Sequence, residues 1–95
     1  MILTVDIGNT NIVLGGFEGD NLEFISRIST DSHKTDCEYA AMLKSILSLY
    51  AADESRICGA VISSVVPPLT KAVINAVKMA YGVNPIVVGP GIKTG

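Results

Sequence analysis

One carboxylate closes the first apolar run of the sequence, and the residues after it are mostly small or hydrogen-bonding: Asp6-Ile7-Gly8-Asn9-Thr10-Asn11. The set suits two purposes. Gly-Asn is a good turn pair and Asn and Thr side chains satisfy loop backbone, so the stretch can be a plain hairpin between strands. Equally, a glycine lets the backbone approach an anion without a Cβ in the way. Consecutive amides of a tight turn can converge on phosphate oxygens, and Asn9, Thr10 and Asn11 add side-chain donors. Asp6, at the end of the strand, is a hard oxygen ligand of the kind Mg2+ takes singly or in pairs beside substrate phosphates. On turn chemistry alone, the hairpin and the metal-phosphate cradle stand level.

Other phosphate and metal chemistries fit less well. A P-loop requires Gly-Lys-Ser/Thr, and no glycine in the chain is followed by lysine. A dinucleotide fingerprint in the tail Gly89-Pro90-Gly91-Ile92-Lys93-Thr94-Gly95 would need glycine at Thr94, so that tail reads as a strand-to-helix loop. An aspartyl-phosphate loop would want a second Asp where Gly8 stands. Two-metal hydrolysis wants several acids on neighbouring strands, whereas Glu23 is the only other acid inside one. Cys37 and Cys58 are far apart and His33 sits in a polar loop, so neither zinc nor a disulfide is expected. Cys37 reads as a helix-surface thiol, Cys58 as a small core residue and His33 as solvated.

The elements that must position Asp6 follow from hydrophobic patterning. Residues 2–7, 11–17 and 22–29 are short, rich in β-branched or aromatic types and separated by turn clusters, which makes a β-meander. In the third run Leu22, Phe24, Ser26 and Ile28 share one face, the drier one, with Glu23, Ile25, Arg27 and Ser29 opposite. Thr35 and Glu38 have capping-box spacing, and Tyr39, Leu43, Ile46, Leu47 and Tyr50 recur with helical period to about residue 51. The segment 51–56 is an exit loop. Residues 57–63 are nearly continuously apolar, as for a parallel strand covered on both faces. Pro67 and Pro68 suit a helix start, Leu69, Val73, Ala76, Val77 and Ala80 its buried stripe, and Gly82 its C-cap. A last short strand precedes Gly89. Ser63 and Ser64 lie where open α/β sheets place ligands, although capping the proline-led helix is their expected role. Arg27 is expected as an exposed strand arginine, with a phosphate contact as the alternative.

The chain has 95 residues, 48% hydrophobic and 17% charged, which fits one globular α/β domain and excludes disorder. A net charge of −2 without a basic stripe argues against nucleic acid as a partner. The N-terminus lacks a basic leader and no apolar run reaches the roughly 20 residues of a spanning helix, so no membrane is expected and the location is cytoplasmic by default. The element order is three antiparallel strands, then helix, strand, helix, strand, with nothing after the last strand to cover it. The expectation is therefore a truncated domain with apolar surface left open to association.

Four segments together resemble a known family: Asp6–Asn11; Arg27-Ile28-Ser29-Thr30-Asp31; Ser63-Ser64-Val65-Val66-Pro67-Pro68; and Val87-Val88-Gly89-Pro90-Gly91-Ile92-Lys93-Thr94-Gly95. They are similar, in order and over the whole chain, to type III pantothenate kinases, within the superfamily of acetate and sugar kinases, actin and heat-shock chaperones. The resemblance implies a ribonuclease H-like (actin-like ATPase) fold. It implies transfer of phosphate from ATP to pantothenate, the first step toward coenzyme A, with Mg2+, a monovalent cation (K+ or NH4+) and a homodimer. It carries ATP binding to Asp6, Ile7, Gly8, Asn9, Thr10, Asn11, Ile12 and Val13, with Asp6 near the metal. The family's catalytic Gly-x-Asp-Arg motif and its adenosine contacts lie beyond position 95. Residues 1–95 are thus expected to be a truncated N-terminal nucleotide-binding domain without its second domain, carrying no catalytic residue and inactive alone. Where the family usually shows Thr-Ala-Asp-Glu, this chain has Thr35-Asp36-Cys37-Glu38, which puts any role of that acid in question. A regulatory or transcription-activating relative of the same fold, or another small-molecule kinase of the superfamily, are the alternatives.

Overall fold

A computed structural model describes residues 1–88; the tail Gly89–Gly95, with its strand-to-helix loop reading, lies outside the described residues. The meander comprises β1 (Ile2–Ile7), β2 (Asn11–Glu18) and β3 (Asn21–Ser29), followed by α1 (Asp36–Leu49), β4 (Gly59–Ser64), α2 (Pro67–Tyr81) and β5 (Ile86–Val88). The sheet order is β3-β2-β1-β4-β5, antiparallel through the meander and parallel from β1 to β5.

The period of two in β1 decides the layering. Leu3, Val5 and Ile7 are fully buried, while Ile2, Thr4 and Asp6 face the other way. Leu14, Ile12, Phe24, Ala60 and Ile62 extend the buried side and share one core with Tyr39, Leu43, Ile46 and Leu47 of α1 and Leu69, Val73, Ala76 and Val77 of α2. Both helices therefore cover the same face. The connections β3-α1-β4 and β4-α2-β5 run across the sheet in the same direction, and right-handed crossovers in one direction place their helices on one side.

That geometry corrects the expectation for β4. It spans Gly59–Ser64 rather than 57–63, and it alternates: Ala60, Ile62 and Ser64 are buried, whereas Val61 is only half-buried and Ser63 is exposed. An apolar run does not by itself imply two covered faces. The open face instead carries exposed Ile2, Ile25 and Ile86. In β3 the drier face holds Phe24, Ser26 and Ile28 as expected, but Leu22 is exposed because a register shift at Gly16/Phe17 precedes it.

Local chemistry sets the helix ends. The Thr35 hydroxyl accepts from the Glu38 amide at 3.2 Å and the Glu38 carboxylate from the Thr35 amide at 2.9 Å, a complete capping box. α2 begins on Pro67 and ends at Gly82, whose φ of 70° is a left-handed C-cap. Tyr50 is not the end of the buried stripe. It is the C-cap of α1, about half exposed, and stacks on Phe24 with ring centroids 5.3 Å apart. The exit loop contains a single 3-10 turn, Glu54–Arg56, capped by Asp53. Cys58 is exposed, not a core residue, because it precedes the ladder beside Met1; Cys37 is exposed as expected. No helix among the described residues is long and apolar enough to cross a membrane.

Candidate functional site

The parallel pair β1 and β4 ends with Ile7 opposite Ser64 and Asp6 opposite Ser63. From there the chain leaves in opposite directions, β1 turning into the hairpin with β2 and β4 running on through α2 to β5. Such a divergence opens a crevice at the carboxyl ends of the strands, where α/β sheets bind ligands. The Asp6-to-Asn11 stretch begins at that point of divergence.

The stretch takes the form that the hairpin reading expects. It is a hairpin turn, closed by the Gly8 amide donating to the Asn11 carbonyl at 2.9 Å. Glycine suits the turn, since a Cβ at Gly8 would stand at a tight 3.0 Å from that carbonyl oxygen. The turn is also held in place from outside. Thr30, the first residue past β3, donates its hydroxyl to the Gly8 carbonyl at 2.7 Å and its amide to the Thr10 carbonyl at 2.9 Å. Asp31 is fixed in its turn by buried Tyr39 of α1, whose hydroxyl accepts from the Asp31 amide at 3.0 Å and donates to the Asp31 carbonyl at 2.6 Å.

What the turn does not use is equally informative. Among the described residues, the amides of Asn9 and Thr10 donate to no backbone acceptor. The side chains of Asp6, Asn9, Thr10 and Asn11 likewise have no hydrogen-bond partner among them. Asp6, Asn9 and Thr10 are exposed, Asn11 half-exposed. Successive turn amides without partners among the described residues can receive an anion.

The remaining residues of the stretch divide by face. Ile7 and Ile12 are opposite each other and buried, so their side chains anchor the base of the hairpin. Val13 lies on the open face between Asp6 and Arg27, the three in one row across β1, β2 and β3. Two strand spacings separate Asp6 from Arg27, about 10 Å between backbones. Arg27 is exposed, forms no ion pair with a described carboxylate, and lines a shallow depression of about 250 Å³ with Val13, Ile25 and Ser26.

The serines separate as well. Ser63 is exposed beside Asp6, whereas Ser64 is buried and accepts from the Val66 amide at 3.0 Å and the Thr70 hydroxyl at 2.9 Å. Neither caps α2, whose N-cap Val66 has no side-chain cap because the first helical residues are prolines and lack the amides a cap would serve. The displaced acid Asp36 accepts from the Cys37 amide at 2.7 Å and from Asn75 of α2 at 3.4 Å, so it ties the two helices together. Sequence reasoning did not single out Thr30, and it read Tyr39 only as part of the apolar stripe of α1. Thr30 stood within the quoted Arg27–Asp31 segment, but its contact with Gly8 spans 22 residues and no local pattern reports it.

The family model for type III pantothenate kinase matches residues 2–95. The whole chain aligns with the type III pantothenate kinases of Exiguobacterium sp. (strain ATCC BAA-1283 / AT1b) at 47% identity, Geobacillus kaustophilus at 45% and Finegoldia magna at 48%. It spans 36–37% of the length of those relatives. Among solved structures, it resembles a ROK hexokinase from Thermus thermophilus with a TM-score of 0.67 at 14% identity, over 93% of this chain and 33% of that one. It also resembles Thermus thermophilus RuvC with a TM-score of 0.57 at 20% identity, over 94% of this chain and 61% of that one. These two likenesses show the fold, which is ribonuclease H-like. From the match over residues 2–95 and the identities over its whole length, the chain belongs to the type III pantothenate kinase family.

Proposed function

We propose that the chain forms one wall of the nucleotide site of an ATP-dependent pantothenate kinase, with Asp6 to Val13 receiving the phosphates of ATP. The observation that carries this reading is the fixed hairpin tip, whose Asn9 and Thr10 amides are free among the described residues beside an unpartnered carboxylate. The relatives' shared name supports pantothenate as the substrate, and its phosphate ester, a precursor of coenzyme A, is then the product.

Phosphoryl transfer depends chiefly on positioning and on neutralising charge. The Asn9 and Thr10 amides hold phosphate oxygens, the Asn9, Thr10 and Asn11 side chains add donors, and Ile7 and Ile12 fix the hairpin from below. Arg27 brings a cation to the same row of the open face as Asp6. The donor chemistry at Asp6 fits Mg2+, which retains several waters and needs few protein ligands. When bound there, Mg2+ supplies charge neutralisation along the phosphate chain. No residue of this chain is assigned as the base toward the acceptor hydroxyl, as a ligand of the monovalent cation or as a dimer contact. The 95 residues by themselves bind ATP weakly or not at all and do not phosphorylate pantothenate.

Asp6→Ala in the complete enzyme is the test. ATP-dependent turnover of pantothenate falls sharply while the thermal midpoint stays near that of the parent. Unchanged turnover would overturn the assignment, and turnover by the isolated 95 residues would overturn the division of labour.

A further inference from the structure

We propose that Thr30 is a positioning residue for nucleotide binding: it holds the hairpin tip in its anion-binding form on behalf of the Asn9 and Thr10 amides. The inference rests on the reading of the tip as a phosphate site. Thr30 grips the tip on both sides of Asn9, through its hydroxyl to Gly8 and its amide to Thr10. A loop of exposed polar residues left to itself samples many backbone states, and ordering it on binding costs affinity. Thr30 removes part of that cost beforehand. Its own position is set by what lies on either side: β3 pairs with β2 up to Ser29, opposite Asn11, and Asp31 is held by both hydrogen bonds of the Tyr39 hydroxyl.

The grip therefore connects the rigid helix layer to the tip through one short path, Tyr39 to Asp31 to Thr30 to Gly8. Thr30 reaches the Gly8 carbonyl with its side-chain hydroxyl, because its amide is engaged with the Thr10 carbonyl. Thr30 itself does not touch the phosphates. It acts through the loop, so its removal should appear in the parameter for ATP and not in that for the acceptor.

The decisive comparison uses the complete enzyme with Thr30→Val, which keeps shape and removes the hydroxyl, and Thr30→Ser, which keeps the hydroxyl. Thr30→Val should raise the KM for ATP roughly tenfold or more with the KM for pantothenate nearly unchanged, and Thr30→Ser should restore the parent value. Should Thr30→Val fail to fold, Thr30→Ala removes the same donor without its bulk and reads the same split. An ATP KM left at the parent value, equal rises for both substrates, or failure of Thr30→Ser to restore binding would each overturn the proposal. Asp6→Ala in the same assay separates the two levels: loss of turnover there with a silent Thr30→Val refutes only the role of Thr30, whereas no effect from either refutes the site.

Discussion

The two ends of β1 carry similar chemical groups and treat them in opposite ways. At its start, the Met1 ammonium pairs with Glu18 at 3.1 Å and donates to the Arg56 carbonyl at 2.7 Å, while the Arg56 guanidinium pairs with the other Glu18 oxygen. The Cys58 amide donates to the Met1 carbonyl at 3.0 Å, which closes the strand start against β4. At its far end, Asp6 and the polar side chains of Asn9, Thr10 and Asn11 have no hydrogen-bond partner among the described residues. A charge spent within the molecule serves the fold. Polar groups held in place without a partner among the described residues are available to a ligand, and this difference supports the site proposed at the hairpin end.

The contrast can be broken most sharply at Asp6. Asp6→Ala should lower turnover of the complete enzyme by about 10²- to 10³-fold, the usual scale for loss of one electrostatic element, with little change in thermal midpoint. The Thr30→Val effect on ATP binding comes next, about an order of magnitude smaller.

Glu18→Gln should do the reverse: lower stability near neutral pH and leave turnover per folded molecule unchanged, measured by thermal unfolding beside activity. Its pH dependence has a definite sign. The hydrogen bond from the Met1 ammonium, helped by Arg56, holds the Glu18 carboxyl below its usual 4.5, so its contribution is present above that pH and lost as pH falls through the lowered value. The hydrogen bond to Glu18, against some desolvation, holds the ammonium above its usual 8.0, so its contribution is present below pH 8.0 and lost as pH rises through the raised value. The acid limb is shared with Glu38, held low by hydrogen bonds from Thr35, and Asp53, held low by Ser55. The limb just above pH 8 is the one Glu18→Gln should flatten. A variant that retains it would refute the ion pair.

The smallest effect is expected at a cap remote from both ends. Thr35→Ala should cost about 1 kcal/mol in denaturant unfolding and leave the KM for ATP untouched. A shift in ATP binding there would mean that the helix layer is coupled to the hairpin tip more widely than through Tyr39.

Much of this layout was legible in the sequence because it rests on short-range rules. Alternation in β1, the Thr35-Glu38 box and the Pro67 and Gly82 boundaries each depend on residues a few positions apart, and the structure has them where patterning puts them. The misses share another origin. The second face of β4 depends on which side of the sheet the helices take, a property of crossover handedness and strand order rather than of the local run, and Cys58 depends on where the ladder begins. Leu22 depends on a register shift between strands. The grip of Thr30 on Gly8 joins residues whose distance along the chain hides their contact. Asp6 was readable as a candidate; turn chemistry alone left hairpin and cradle level, and the pinned turn with Asn9 and Thr10 amides unpaired among the described residues supports the cradle proposed there.

The central claim is tested most directly by amide NMR of the 15N-labelled complete enzyme titrated with MgATP. The account predicts that the resonances of Gly8, Asn9, Thr10 and Asn11 move with a single binding isotherm, while those of Glu18, Arg56 and Cys58 at the other end of the sheet stay in place. Binding of MgATP with the hairpin amides unmoved would contradict it.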